Sequence, residues 1–236
     1  MKRMLSIGML VGSLSSAAWA GSLPIGGVEF NPFLEGQGIT GNTGPFYTEG
    51  LPTWLTPGNL LASLSSPIQS ISGFLQFRGT VQSFVYNIPF DGKFGGVGFA
   101  YRIILNSNST NNLNRASLGP SFWETANIWD AGSDGSGVSS PVGTSVFWND
   151  GDPFFIERDG FTGAPAWSLR LGTDGTELDA GNRSALVWFA TDGVGWTQSD
   201  ISLLDGGALG AARVLAIPEP ATISLMLLAL CGLRRR

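Results

Sequence analysis

The chain has 236 residues, a formal net charge of −5, no histidine and one cysteine. The lack of histidine excludes Ser-His-Asp and Cys-His catalysis, and with a single cysteine it also removes the usual zinc and copper ligands and any internal disulfide. The acidic balance argues against nucleic acid or anionic lipid as a partner. Charged residues make up 13% of the chain, about half the usual share, so Ser, Thr, Asn and Gly must supply its solubility.

The first twenty residues have the pattern of a secretory signal peptide. Lys2 and Arg3 precede an apolar stretch from Met4 to Leu14, and Ala18 and Ala20 flank Trp19 in a cleavage pattern. We therefore expect residues 1–20 to be removed after Ala20 and the rest of the chain to be exported.

Residues 21–72 are rich in Gly, Pro, Asn and Thr, and we interpret them as a loop-rich N-terminal segment. A short edge strand is predicted around Phe30 to Leu34. A short helix is predicted within Gly58 to Ser72, because four apolar residues there have helix-like spacing, although Pro67 interrupts them. These four residues are Leu60, Leu61, Leu64 and Ile68.

Residues 73–216 have the pattern of a β-domain. Val81 and Val85 alternate with polar neighbours, and a second run places five apolar residues on one face of a strand. This run is Val97, Phe99, Tyr101, Ile103 and Leu105. With the Asp91-Gly92 turn between them, residues 74–90 and 94–105 are predicted to form an antiparallel hairpin.

Asn106 to Asn114 is predicted to be a loop, and shorter strands follow it. They are predicted at Ser121–Trp129, Ser145–Trp148, Phe154–Ile156, Ala166–Leu171, Ala185–Thr191 and Ala211–Ala216. Asp-Gly pairs between these strands supply turns. The predicted fold class is mainly β: an antiparallel β-sandwich, jelly-roll-like or immunoglobulin-like, with a short C-terminal hydrophobic helix outside its core.

The last stretch, residues 217–236, combines three features. Pro218, Glu219 and Pro220 come first, an uncharged apolar run from Ala221 to Leu233 follows, and Arg234, Arg235 and Arg236 come last. A helix can begin after the prolines, and the run is about 20 Å long, which allows a strained membrane span. The arginines are expected to stay on the cytoplasmic side.

This tail resembles the PEP-CTERM sorting signal of exported bacterial proteins. The resemblance covers the Pro-Glu-Pro motif, the apolar run and the basic end, in that order. It implies that a membrane enzyme, the exosortase, processes the tail, and that the mature protein is associated with exopolysaccharide. Residues 77–86, 99–103 and 186–192 are more weakly similar to segments of uncharacterised exported bacterial proteins with such tails.

Acidic residues in the middle of the chain are candidates for carboxylate chemistry of the glycosidase kind. They are Glu124, Asp130, Asp150, Asp152, Glu157 and Asp159. Several lie beside glycine, where turns explain them equally well. The same oxygens could hold a structural calcium ion, either at Asn149, Asp150 and Asp152 or at Asp130 and Asp134, although neither set fits an EF-hand. We otherwise expect no cofactor.

Six tryptophans lie between Trp123 and Trp196, and stacking of tryptophan on sugar rings is one way to hold polysaccharide. Strand packing explains most of them, and Trp129 and Trp196 are the two that it explains least. We therefore expect an exported, non-enzymatic protein, held briefly at the inner membrane, with a structural or adhesive role at the cell surface or in the extracellular matrix. The alternative is a carboxylate-dependent, polysaccharide-active enzyme.

Overall fold

Extended segments of the chain form two β-sheets in a computed structural model. It describes residues 23, 28–30, 47–49, 51–71, 76–92, 95–119, 123, 126–134, 155–158, 164–168, 177–205 and 208–218. The strands are β1 (Val28–Phe30), β2 (Tyr47–Glu49), β3 (Leu60–Pro67), β4 (Gln69–Ser70), β5 (Gly79–Ile88), β6 (Gly96–Leu105), β7 (Arg115–Leu118), β8 (Ile128–Ser133), β9 (Phe155–Arg158), β10 (Pro165–Ser168), β11 (Val187–Thr191), β12 (Thr197–Asp205) and β13 (Ala208–Ala216).

The two sheets have seven and six strands within these residues. The seven-stranded sheet has the order β1-β9-β10-β7-β12-β13-β4, and the six-stranded sheet has the order β2-β8-β11-β6-β5-β3. The β2–β8 pair is parallel, and the other pairs are antiparallel. The mainly antiparallel β fold class predicted from the sequence is therefore confirmed.

The strongest sequence pattern is also confirmed as the predicted hairpin. β5 and β6 are antiparallel neighbours, with Ile88 opposite Gly96 and Gly79 opposite Leu105. The five alternating apolar residues of β6, from Val97 to Leu105, are all buried. Period-2 alternation identified this pair because one face of each strand packs against the opposite sheet.

One hydrophobic core lies between the two sheets and holds them face to face. The ring of Tyr101 in β6 stacks on Trp167 in β10 with centroids 5.8 Å apart, and its hydroxyl donates to the carbonyl of Leu215 in β13 at 2.8 Å. Ser83 in β5 accepts the Leu215 N–H at 3.0 Å. These contacts join the sheets in a sandwich-like arrangement. Burial raises the pKa of Tyr101 well above its ordinary value.

Strands from residues 28–70 form the edges of both sheets. β1 and β4 flank the seven-stranded sheet, and β2 and β3 flank the six-stranded one. The N-terminal segment therefore pairs with strands from the rest of the chain. β1, β2 and β4 have only two or three residues each, which limits the exposed backbone that another chain could pair with at those edges.

The helix predicted within Gly58 to Ser72 is wrong. Leu60–Pro67 is the edge strand β3, and only Pro57–Asn59 form a single 3₁₀ turn. Leucines at helical spacing also suit an edge strand, where a partly exposed apolar residue costs little. Pro67 is the last residue of the strand, at the outer edge, where the missing N–H is tolerated.

The later strands agree with the predictions in part. β9, β10, β11 and β13 overlap the predicted segments, whereas β8 begins at Ile128 instead of Ser121. β7 and β12 have no predicted counterpart. In β12 only Ile201 and Leu203 among its nine residues are fully buried, so its alternation is weak. The strand predicted at Ser145–Trp148 lies outside the described residues.

Candidate functional site

The outer face of the six-stranded sheet carries an aromatic cluster of its own. Its buried members are Trp54, Tyr86, Ile88, Ala100, Leu186, Trp188 and Ala190. The outer face of an antiparallel sheet is ordinarily polar because water covers it. Here the loop of residues 51–59 covers part of that face.

This loop is fixed in place by its own hydrogen bonds. The Asn59 side-chain amide donates to the carbonyl of Trp54 at 2.9 Å, and the N–H of Leu55 donates to the carbonyl of Pro52 at 3.0 Å. The prolines at positions 52 and 57 restrict the backbone further. The loop therefore holds the indole of Trp54 against the sheet, and this side chain is only 6% exposed.

A glycine in β6 makes room for the Trp54 ring. A Cβ atom at Gly98 would lie 2.3 Å from Trp54 Cζ3, closer than any real contact. The indole packs edge-on against Trp188 with centroids 5.7 Å apart at 87°, and tilted against Tyr86 at 5.9 Å. Such edge-to-face pairs stabilise each other by about 0.5–1.5 kcal/mol beyond the area they bury. Trp54 is therefore held rigidly.

A groove of about 470 Å³ runs beside this cluster and is open to solvent. Its lining residues come from three parts of the chain: the 51–59 loop, the connection from β5 to β6, and β8. They include Trp54, Asn59, Ile88, Asp91, Trp129 and Asp130. Its size lies within the range of small-molecule sites, and its lining combines aromatic and apolar surface with an amide and two carboxylates.

This lining suits a polyhydroxylated ligand. Aromatic and apolar side chains can pack against the C–H faces of a sugar ring, and carboxylates accept hydrogen bonds from vicinal hydroxyls.

In the cluster beside the groove, the indole N–H groups of Trp54 and Trp188 are buried and have no acceptor within the described part of the chain. A buried donor without an acceptor destabilises the fold by about 1–3 kcal/mol.

The carboxylates predicted to act together do not lie together where they can be located. Asp130 lies in β8 and lines the groove, whereas Glu157 lies in β9 of the other sheet and forms an ion pair with Arg115. The other predicted members lie outside the described residues: Glu124, Asp150, Asp152 and Asp159. The predicted cluster is therefore not assembled by its described members.

The two tryptophans singled out in the sequence have different positions. Trp129 is half-buried in the groove wall, whereas Trp196 precedes β12 and is 39% exposed. Sequence reasoning missed Trp54, Asn59 and Asp91 as groove residues. The one sequence signal for this part of the groove was the position of Trp54 between Pro52 and Pro57, which indicates a loop of restricted backbone around an aromatic side chain.

The calcium hypothesis loses support at one of its two places. Asp134 forms an ion pair with Arg102 at 2.7 Å and accepts the N–H of Leu186 at 2.8 Å, so its oxygens stabilise the sheet. The other candidate set, Asn149, Asp150 and Asp152, lies outside the described residues. Within the described ranges, no group of three or more His, Cys, Asp or Glu residues could hold a metal ion.

The sorting residues fall almost entirely outside the described part of the chain. Ile217 is 6% exposed and belongs to the main core, and Pro218 is half-buried immediately after it. The residues that lie outside are Ala18, Ala20, Glu219, Pro220, Arg234, Arg235 and Arg236. No helix among the described segments combines the length and apolar character needed to cross a bilayer.

Comparison with protein-family models, with curated proteins and with solved structures found no match for this chain.

Proposed function

We propose that the chain is an exported bacterial protein that binds exopolysaccharide through the groove beside Trp54. In this proposal the tail holds the protein briefly at the inner membrane, an exosortase cuts it near Pro218 to Pro220, and the body is released to the cell surface or matrix. The groove, where aromatic side chains and carboxylates lie together, is the observation that carries the binding role.

The signals at the two ends support the export part of this proposal. The pattern of residues 1–20 favours export, and the Pro-Glu-Pro motif, apolar run and arginines favour sorting at the membrane. Removal of both ends leaves 8 basic and 17 acidic residues, a balance of about −9. That charge favours neutral sugars over polyanions as ligands. The role is therefore structural or adhesive.

The finer architecture belongs to the same proposal. We assign the two sheets to a β-sandwich of the jelly-roll-like or immunoglobulin-like kind, with the C-terminal helix outside its core. The shared core between Tyr101, Trp167 and Leu215 supports the sandwich. A binding groove on the outer face of one sheet leaves such a core intact.

A carboxylate-dependent polysaccharide-active enzyme is the second candidate, because Asp91 and Asp130 line the same groove. Two carboxylates on either side of a glycosidic bond could act as acid and base. The two candidates differ in one outcome. An enzyme would release reducing ends from the polysaccharide and lose that activity, but not its affinity, when Asp130 is replaced by asparagine.

Replacement of Trp129 by alanine is expected to weaken binding to the source bacterium's exopolysaccharide at least tenfold, because it removes aromatic surface from the groove wall. Affinity electrophoresis through gels containing that polysaccharide measures the effect. Asp130→Asn should weaken binding to a smaller extent, since an amide oxygen still accepts a hydrogen bond. Asp200→Asn, on the exposed part of β12, is the matched control and should bind as the wild type does. Unchanged binding of Trp129→Ala would refute the groove as the site.

Replacement of Glu219 by alanine is expected to keep the protein in the membrane with its tail intact. The processing enzyme is then expected not to recognise the tail, because the motif Pro218-Glu219-Pro220 has lost its glutamate. Mass spectrometry of protein recovered from the culture medium and from membranes checks this. Equal release of wild type and variant with the same cut end would contradict processing through this motif.

A further inference from the structure

Three large apolar side chains are exposed in two neighbouring connections between strands. Phe90, in the connection from β5 to β6, is 76% exposed. Val194 and Trp196, in the connection from β11 to β12, are 93% and 39% exposed. We call these three residues the apolar tip.

The two connections begin side by side, where β6 starts and the neighbouring strand β11 ends. A Cβ atom at Gly96 would lie 2.2 Å from the carbonyl oxygen of Thr191, and one at Gly95 would lie 3.0 Å from the Cα of Phe90. Val97 and Thr191 are paired in the same sheet. The three residues of the apolar tip therefore lie in connections at the same end of the paired strands β6 and β11.

Ile217 and Pro218, the last residues that the structure describes, lie at this same end. A Cβ atom at Gly195 would lie 3.7 Å from Cγ of Pro218, and one at Gly193 would lie 4.0 Å from Ile217. Leu23 lies at this end as well. Leu23 forms a bridge with Ile128, which is paired with Thr191.

The tail's apolar run begins close to this surface. Ala221 is three residues after Pro218, and three extended residues span at most about 10 Å. A bilayer that takes up the run from Ala221 onward therefore lies within about 10 Å of Pro218, at the same end of the body as the apolar tip. A body tethered so closely cannot keep this end far from the lipid headgroups.

We infer that the apolar tip docks on the lipid surface while the tail is in the membrane. This inference rests on the proposed function, because it needs the tail to insert. Tryptophan is enriched at membrane–water interfaces, where its ring fits the headgroup level. The two connections carry Asp91, Lys93 and Asp192, so they have no excess of positive charge and the contact does not require anionic lipid. The body is then held with a fixed end towards the bilayer, which presents Pro218 and the residues after it to a membrane enzyme.

Iodide quenching of a fluorescent label on the full chain in phosphatidylcholine vesicles tests this inference. Three labelled chains are compared: wild type labelled at its native Cys231 in the tail, and Cys231→Ser chains labelled after Gln198→Cys or Asn108→Cys. Gln198 lies two residues after Trp196, whereas Asn108 is exposed in the loop after β6, about 30 Å away along that strand. Insertion of the tail into the vesicles should reduce iodide quenching of the label at Cys231. Docking of the apolar tip should reduce quenching at position 198 at least threefold and leave quenching at position 108 unchanged.

The double substitution Phe90→Ser and Val194→Ser should restore quenching in the chain labelled at position 198. In the chain labelled at Cys231, the same double substitution should leave that label shielded. Shielding of Cys231 with equal quenching at positions 198 and 108 would overturn the docking and leave the tail proposal standing. An unshielded Cys231 would overturn both. Shielding at position 198 that disappears when the protein is diluted tenfold in lipid would mean that a second copy covers the tip, which also overturns the inference.

Discussion

Replacement of Arg158 by methionine is expected to lower the free energy of unfolding by about 3 kcal/mol, or roughly 10 °C in Tm. Arg158 is only 5% exposed. Its guanidinium donates to the carbonyls of Leu23 at 3.1 Å and Ala126 at 2.6 Å, and also to that of Trp123. Methionine fills the space but leaves these buried carbonyls without that donor, and such groups are costly when unpaired.

The electrostatics of this site agree with its structural role. Burial lowers the pKa of Arg158, and the nearby Asp192 carboxylate opposes that shift. The guanidinium nonetheless stays charged at neutral pH, because an arginine pKa starts far above it. Arg158 therefore fixes Leu23 to the same end of the two packed sheets as the apolar tip.

Arg213→Met is the matched control for this prediction. Arg213 forms an ion pair with Asp200 at 3.3 Å, and both side chains are more than half exposed, so its loss should change stability by less than about 0.5 kcal/mol. Urea unfolding followed by fluorescence measures both variants. Equal stability of Arg158→Met and Arg213→Met would show that the three carbonyls do not depend on Arg158.

The Gly98→Ala variant is expected to abolish polysaccharide binding and to lower stability by about 1–3 kcal/mol. The added methyl would lie 2.3 Å from the ring of Trp54, which must then leave its place against Trp188 and Tyr86. Because Trp54 forms part of the groove, its displacement changes the groove's shape. Affinity electrophoresis and urea unfolding measure the two effects.

Gly58→Ala provides the control for this substitution. Gly58 lies in the same loop as Trp54, and a Cβ atom there would have no neighbour within 4 Å. The same methyl group should therefore leave both binding and stability close to those of the wild type. Tight binding by Gly98→Ala would show that the placement of Trp54 does not matter for the ligand.

The β5–β6 hairpin shows what the sequence of a single segment can determine. Each β6 residue from Val97 to Leu105 lies on the face that its odd or even position along the strand predicts, because neighbouring side chains in a strand point to opposite sides. The Asp91-Gly92 pair between the strands predicted the turn that connects them. Both signals are local, so no partner elsewhere in the chain was needed to read them.

The edge strand β3 shows where that reasoning fails. Leu60, Leu61 and Leu64 have a spacing that suits a helix, yet the segment pairs with β5. Hydrogen bonds to β5 stabilise the extended form, and local propensity is too weak to oppose them. β12 was missed for a related reason, since its pairing with β13 along nine residues outweighs its few buried side chains.

The groove depends on long-range placement even more strongly. Trp54, Asp91 and Asp130 are far apart in sequence, and each has an ordinary local explanation as a loop or turn residue. The pairing of β8, β11, β6 and β5 brings these three residues to one face of the sheet, and Gly98 leaves the space that the ring of Trp54 occupies there. Trp129 was a sequence candidate because its packing was least explained, and Asp130 because of its carboxylate.

The sequence by itself determined the local properties: the absence of histidine chemistry, the acidic charge, the export and sorting patterns at the two ends, and the alternation that makes the fold mainly β. These depend on residue identity and on neighbours within a few positions. The tertiary structure alone decided that Trp54, Asp91 and Asp130 line one groove, and that Leu23, the apolar tip and Pro218 lie at one end of the two packed sheets. Such proximity comes from strand pairing between distant segments, which the packing of the whole core selects and no single segment specifies.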